Sequence, residues 1–378
     1  MKLAMKINRT YSVIAALLLA LVAPILAQTQ DVEPTTTLID VPGANGGTDP
    51  TAINSEGDII GFDYGIPSSG FLRICNQDCD NDNYKPFIKI NVPGASFTMP
   101  TSINDKRTIV GNYDYDGSSR GFVRECISTG GAGRCDDDAS SYTTFAPPQA
   151  RYTFPQSINS KGDITGWYVN SRNASHGFLR SCGKSTHPYC RYTEFDPASL
   201  PNVTMPCCIN SIGAITGEYG IPGETLHGFI RDVDGTFEII DVPGSVQTEP
   251  FAINVKGEIT GIYYDVASPN VGAFFREPNG QIITFTVPGA YVTYASSIND
   301  SGVIAGFYYD PYPSVIAGGF TRAPDGTITL FRIPDSRPYM VMINNSGLIA
   351  GMYRDKGFRG HGFLRLPQND ENGWLDGK

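Results

Sequence analysis

The sequence predicts an all-β protein: a seven-bladed β-propeller of four-stranded blades, with the ring closed by an N-terminal strand that pairs with the last blade. Three observations carry that prediction. A phrase ending in Ile-Asn recurs seven times, with its Asn at 54, 104, 159, 210, 254, 299 and 344. The spacings run from 44 to 55 residues, the length of four short strands with their turns rather than of a helical solenoid unit. The two ends of the repeat array are also complementary. TTTLIDVPG near the start is a fourth-strand phrase without the first three, and VMINNSGLIAGMYRDKGFRGHGFLRL near the end is three strands without a fourth. Leu38 to Val41 are therefore expected beside Gly362 to Leu366. Helix signals are nearly absent, because 42 Gly and 27 Pro are spread through segments whose apolar residues alternate with period two.

In chain order, residues 1–27 come first. Lys2, Lys6 and Arg9 precede the apolar run VIAALLLALVAPILA, and a small residue, Ala27, stands ahead of the polar QTQDVEPTTT. A basic start, a short apolar core and a small residue at the break read as a signal peptide. The expectation is a chain exported to the periplasm or medium, beginning near Gln28, with a linker at 28–36, the propeller at 37–367 and a polar tail at 368–378. The apolar run is short for a membrane span and no later segment approaches one.

Each repeat has the same parts. The innermost strand ends in Ile-Asn, and the residue before that Ile is Ala52, Ser102, Ser157, Cys208, Ala252, Ser297 or Met342, small in six of seven, as crowding near an axis requires. The Asn side chain can hold the backbone two residues on, and a Gly in the corner supplies a positive φ; Arg107 replaces that Gly in the second repeat, so its turn is expected to differ. The second strand carries Ile-x-Gly, whose bare Gly leaves room for the Phe of Gly-Phe-x-Arg on the third strand. The fourth runs into Val-Pro-Gly or a variant. Closing seven such units buries blade against blade.

These units resemble a family of tandem extracellular repeats named for a His-Ala-Phe motif, in which Ser-x-Ile-Asn-x-x-Gly-x-Ile-x-Gly precedes His-Ala-Phe. Here the second phrase reads His176-Gly177-Phe178, His227-Gly228-Phe229 and His361-Gly362-Phe363, with Ala273-Phe274 in the fifth repeat. The resemblance covers about residues 37–366 and implies an exported, propeller-like protein; it implies no reaction and no catalytic residue.

Charge narrows the partners. After the first 27 residues the chain holds 25 Lys and Arg against 38 Asp and Glu, a net of about −13, with no basic stripe. Nucleic acid and anionic membranes are excluded on that ground. The Arg of each Gly-Phe-x-Arg recurs with the fold and is expected to serve it, bonding backbone or Asn near its own corner.

Function is expected where repeats differ. The loops before the inner strand and after the second strand share one face, which carries Asp49, Met99, Phe154, Met205, Glu249, Tyr294 and Tyr339, one per repeat. Tyr64, Trp167, Tyr168 and Tyr309 add aromatics there. Stacking platforms with carboxylates nearby suit a sugar ring or a peptide. Trp167, Tyr168, Tyr294, Tyr339, Tyr64 and Tyr309 are the ligand-binding candidates. Asp49 and Glu249, on repeats one and five, are the candidates for a catalytic carboxylate pair. The four His (176, 187, 227, 361) suggest no metal cluster, and no hydrolase, nucleotide or EF-hand motif is present.

Eight Cys complete the reading. Cys75 with Cys79, Cys126 with Cys135, and Cys182 with Cys190 each bracket an enlarged loop after Gly-Phe-x-Arg and are expected to form local disulfides in an exported chain. Acidic tracts in two of these loops suit calcium weakly, since neither has EF-hand spacing; no cofactor is expected. Cys207 and Cys208 are left over, and a bond between adjacent residues would break strand geometry, so two buried free thiols are expected. The resulting reading is a monomeric, non-catalytic propeller that binds an extracellular glycan or protein; the alternative is a secreted glycoside hydrolase or polysaccharide lyase.

Overall fold

A computed structural model describes residues 36–367 apart from 45, 66–67, 76–86, 127–140, 184–188, 199–202, 222–224, 267–269, 312–316 and 333–336. The leader, most of the linker, the tail, His187, Cys79, Cys135 and both acidic tracts lie outside the described residues. No described helix is long and apolar enough to cross a membrane.

Among the described residues there are 28 strands, from Thr36–Ile39 to Gly360–Arg365. Each repeat supplies an antiparallel meander, inner strand to outer. The ends meet as expected: Thr36, Thr37, Leu38 and Ile39 pair antiparallel with Arg365, Leu364, Phe363 and Gly362. The pairing begins two residues earlier than Leu38 and spares Val41. The propeller of four-stranded blades is thus closed by its N-terminal strand.

The sheet count departs from the expected seven separate sheets. Five sheets have four strands and one has eight. In the larger sheet, the third strand of repeat five meets the inner strand of repeat six in one parallel pairing, Val271 with Val292, where Val271 N–H donates to the Tyr291 carbonyl at 3.2 Å.

At the inner ends, the seven repeat Asn form a continuous belt. Each Asn Nδ2 donates to the backbone carbonyl of the next one: Asn54 to 104, 104 to 159, 159 to 210, 210 to 254, 254 to 299 and 299 to 344. Asn344 returns to the Asn54 carbonyl at 2.9 Å. The same Asn also caps its own corner, as where Asn104 Oδ1 accepts from the Lys106 and Thr108 amides. One side chain therefore closes a turn and joins neighbouring repeats, which is why these buried amides are satisfied.

The second-strand glycines have a tighter reason than the Phe contact expected. A Cβ on Gly61 or Gly261 would lie inside van der Waals contact with the carbonyl of Asp49 or Glu249, on the inner strand at a β-bulge. Phe71, Phe122, Phe178, Phe229, Phe274, Phe320 and Phe363 are fully buried beside them.

The Arg series is structural, though not through Asn. Arg231, Arg276 and Arg322 donate to the carbonyl of the next residue. Arg180, Arg231, Arg322 and Arg365 lie over the outer-strand rings of Phe145, Phe195, Phe285 and Phe331 in the preceding repeat, 4.7 to 5.2 Å from the centroids. Buried cations thus gain π-face contact between neighbouring units.

Arg107 overturns another expectation. Its turn does not differ: Arg107 adopts φ +58° and keeps the corner bond to the Asn104 carbonyl at 2.9 Å.

Candidate functional site

The seven residues expected before the inner strands lie within those strands, with one register change. In repeats one to five the bulge falls after the Pro, so Asp49, Met99, Phe154, Met205 and Glu249 oppose Phe62, Asn112, Trp167, Glu218 and Ile262. Tyr294 opposes Phe307. In repeat seven the bulge falls between Pro338 and Met340, so Met340 takes the place across from Met352 and Tyr339 is the extra residue. The expected equivalence of Tyr339 with Asp49 and Tyr294 fails for that reason.

Two of these residues take part in stacked pairs of rings. Phe154 and Trp167 are 4.1 Å apart at 29°; Tyr294 and Phe307 are 4.6 Å apart at 11°. Each pair is a cross-strand neighbour pair, so the sheet register itself holds the rings parallel. Trp167 and Tyr294 are half-buried. Phe251 adds a tilted ring 5.0 Å from Tyr294.

Tyr168 is a correction. It is 2% exposed, packs in the core with Phe145 and Phe178, and donates its hydroxyl to Glu194. Alternation along the strand sends Tyr168 to the other side of the sheet from Trp167, so it is core and not a ligand contact.

Asp49 and Glu249 each have partners of their own. Asp49 is buried and accepts from the Tyr64 hydroxyl at 2.6 Å. Burial raises the Asp49 carboxyl, opposed by that bond and by Arg354, while burial and Asp49 push the Tyr64 hydroxyl up to about 12. Glu249 accepts from Gln247 and stands near a different carboxylate, Glu218. Burial first, then the charge of Glu249, raises Glu218 from 4.5 to about 7. The close acid pair is therefore Glu218 with Glu249, flanked by Tyr264 and Tyr294, whose hydroxyls are both raised by burial and by the two acids. Sequence reasoning missed Glu218. The signal was present: at the position after the second-strand Gly, occupied by Phe62, Asn112, Trp167, Glu218, Ile262, Phe307 and Met352, it is the one charged residue.

Tyr309 donates its hydroxyl to the Pro338 carbonyl at 2.7 Å and lies edge-on to Tyr339. Arg354 covers the Tyr339 ring at 5.0 Å. Tyr64, Tyr309, Tyr339 and Arg354 thus make a second group, at the seam between the last repeat and the first.

His176 comes near Glu194 and Asp196, a set able to surround a metal ion. The hydrogen bonds argue against one. Asn170 Oδ1 accepts from the Arg172 and Ala174 amides, which leaves Asn170 Nδ2 to face His176 Nε2 at 3.0 Å. Nε2 must then accept, Nδ1 carries the proton, and it donates to Asp196 at 2.8 Å. Neither nitrogen has a lone pair to offer a metal. His227 with Asp241 and His361 with Asp40 repeat the His–Asp bond, also at 2.8 Å, so it recurs wherever the repeat phrase keeps its His.

Of the expected disulfides, Cys182–Cys190 is formed. Cys75 and Cys126 are each disulfide-bonded, with the partners expected for them outside the described residues. Cys207 and Cys208 are free thiols. Cys208 Sγ reaches the Phe251 carbonyl at 2.9 Å and Cys207 Sγ the Pro250 carbonyl at 3.4 Å.

No family model matches the chain, and no curated protein matches it. Among solved structures it is similar to the β-propeller domain of the Trilobed protease from Pyrococcus furiosus, at 10% identity and a TM-score of 0.55, over 87% of this chain and 98% of that one. The chain has a β-propeller scaffold. It is also similar to the acylaminoacyl peptidase of Pyrococcus horikoshii, at 9% identity and a TM-score of 0.53, over 85% of this chain and 52% of that one. A structure from a study of two prolyl endopeptidases gives 9% identity and 0.54, over 86% and 51%. The chain spans about half the length of those two peptidases, and at such identities the likeness carries the fold alone. The Pyrococcus furiosus propeller is described as having an open velcro topology; here Thr36–Ile39 closes the ring.

Proposed function

We propose that this is an exported, non-catalytic β-propeller that binds a glycan or protein ligand on the face where the inner strands begin. The observation that carries the reading is the pair of ring stacks, Phe154 on Trp167 and Tyr294 on Phe307, in which Phe154, Trp167 and Tyr294 are half-buried and Phe307 is buried. Flat apolar surfaces held by strand register suit the faces of sugar rings, so a glycan is the favoured class. We read the eight-stranded sheet as two blades bridged at Val271 and Val292, giving seven in all; the closed belt of seven Asn supports that count. The likeness of the repeat phrases to the His-Ala-Phe family fits an extracellular role.

The test is a binding screen of the purified mature chain against neutral and charged polysaccharides, repeated with Trp167→Ala/Tyr294→Ala. A glycan ligand whose affinity falls at least tenfold in the double variant, with an unchanged melting curve, supports the reading. Undiminished binding removes this face from the site.

A second reading is a carbohydrate-active enzyme. Glu218, raised to about 7, beside the more acidic Glu249 is an arrangement that can separate proton donor from base. Release of reducing ends in the same screen, abolished by Glu218→Gln, would select it.

A further inference from the structure

We propose that the loop face of the last repeat, where it meets the first, binds an anionic saccharide such as a uronic-acid oligomer. The inference rests on the glycan reading above and gives that ligand a charge. Two local features here are unfavourable for the free protein, and both would be offset by such a ligand.

The first is a like-charge pair. Arg337 and Arg354 are direct cross-strand partners in the seventh repeat, and like charges opposite one another destabilise an antiparallel pair. Both lie near Tyr309, and Arg354 rests over Tyr339 and lies near the Tyr64 hydroxyl, which donates to Asp49. Asp49 is thereby engaged within the seam. Lys356 and Arg359 follow in the hairpin after Arg354, so this stretch of the chain is rich in cations although the protein has a net charge of −10. Arginine forks are suited to bidentate contact with carboxylate or sulfate groups.

The second is Phe358. It is 69% exposed and has φ +62°, a left-handed conformation that is uncommon and costly for a bulky aromatic. The matching turn in the third repeat has Asn173 at φ +61°, a residue that tolerates this region. The hairpin is nonetheless well held: Asp355 Oδ1 accepts from the Gly357 and Arg359 amides at 2.8 and 2.9 Å, Phe358 N–H donates to the Asp355 carbonyl, and the Arg359 guanidinium reaches the Ala44 carbonyl at 2.7 Å. A well-held turn thus presents an exposed ring at a backbone cost, in the repeat that also carries exposed Tyr339, and Tyr64 of the first repeat is exposed too. Strain kept at a surface position points to use of that surface. Rings for sugar faces and guanidinium groups for acid substituents define the chemistry. An acidic peptide would satisfy the charges but make less use of three exposed rings.

Calorimetric titration of the mature chain with tetragalacturonate, the neutral galactose tetramer and a hexa-aspartate peptide tests this. The uronate should bind at least tenfold more tightly than the neutral tetramer and weaken as salt rises. Arg337→Gln and Phe358→Gly should each reduce that affinity at least tenfold, while Phe358→Gly melts at or above the wild-type temperature because Gly accepts the positive φ. Loss of binding together with unchanged or improved stability is what a merely structural Phe358 would not give. No preference for the uronate, or wild-type affinity in Phe358→Gly, overturns the proposal. Tighter binding of the aspartate peptide also overturns it and assigns the surface to acidic peptides. Binding of the neutral tetramer that depends on Trp167 but shows no uronate preference defeats this inference while leaving the glycan reading standing.

Discussion

Arg107 Nε donates to Asp58 Oδ2 at 2.6 Å, tying the turn of the second repeat to a fully buried carboxylate of the first. Asp58 also accepts from Asn54 Nδ2 and from the Cys75 amide. The guanidinium answers the charge that those neutral donors leave, and it can do so only from a turn position that six other repeats give to Gly. The strained φ of Arg107 is therefore kept for an ion pair between neighbouring units.

Replacing Arg107 separates the two effects. Arg107→Ala keeps the strain and leaves Asp58 short of a cation, with an expected cost of about 2–4 kcal/mol. Arg107→Gly loses the same pair but relieves the backbone, so it should be about 1 kcal/mol more stable than the Ala variant while remaining below wild type. Urea denaturation measures both. A Gly variant as stable as wild type would show that the ion pair contributes nothing net.

Much of the fold was legible because repetition multiplies weak signals. Seven copies of Ile-Asn and Ile-x-Gly set the strand order, and unmatched strands at the two ends gave the closure. What stayed hidden depended on backbone register. Tyr339 looked equivalent to Tyr294 until the bulge moved by one residue, and Tyr168 looked like a neighbour of Trp167 on one platform, although successive strand residues face opposite ways. The acid pair was half read. Glu249 was visible as an exception to its repeat position, whereas Glu218 required the same comparison to be made on the second strand.

Closure is tested at the belt. Asn344→Ala removes both the donor to Asn54 and the acceptor for the Ser346 and Leu348 amides, leaving buried backbone groups unpaired at an expected cost of about 2–3 kcal/mol. Asn344→Asp retains the acceptor but sets a carboxylate oxygen against the Asn54 carbonyl, and should be no better. Deleting residues 36–39 exposes the edge of the Gly360–Arg365 strand, and aggregation or a broadened melting transition is expected. A truncated chain that melts as sharply as the full one would mean the ring does not depend on this strand.

The two thiols should remain unoxidised in the native protein. Both Sγ atoms are turned to carbonyls of the next inner strand, and burial pushes the Cys207 thiol well up, so little reactive thiolate forms. Alkylation after unfolding without reductant should label two Cys per chain, against slow labelling of the folded protein. Complete protection of the unfolded chain would reveal a bond between these neighbours.

Glu218 makes stability fall with rising pH over a defined window. Its folded value of about 7 lies above the usual 4.5, so between those limits the native state holds a proton that the unfolded state has released. Stability must then decrease as pH rises from 4.5 through 7, and level off above, since linkage follows the difference in bound protons. The raised carboxyl of Glu249 acts in the same direction. The full loss from Glu218 is at most about 3 kcal/mol. Glu218→Gln removes the carboxylate, so its melting temperature should change less between pH 5 and pH 8 than that of wild type, and it should exceed wild type at pH 8. Parallel pH profiles for the two proteins would mean that Glu218 is hydrated well enough to ionise normally, and the second, enzymatic reading would lose its proton donor.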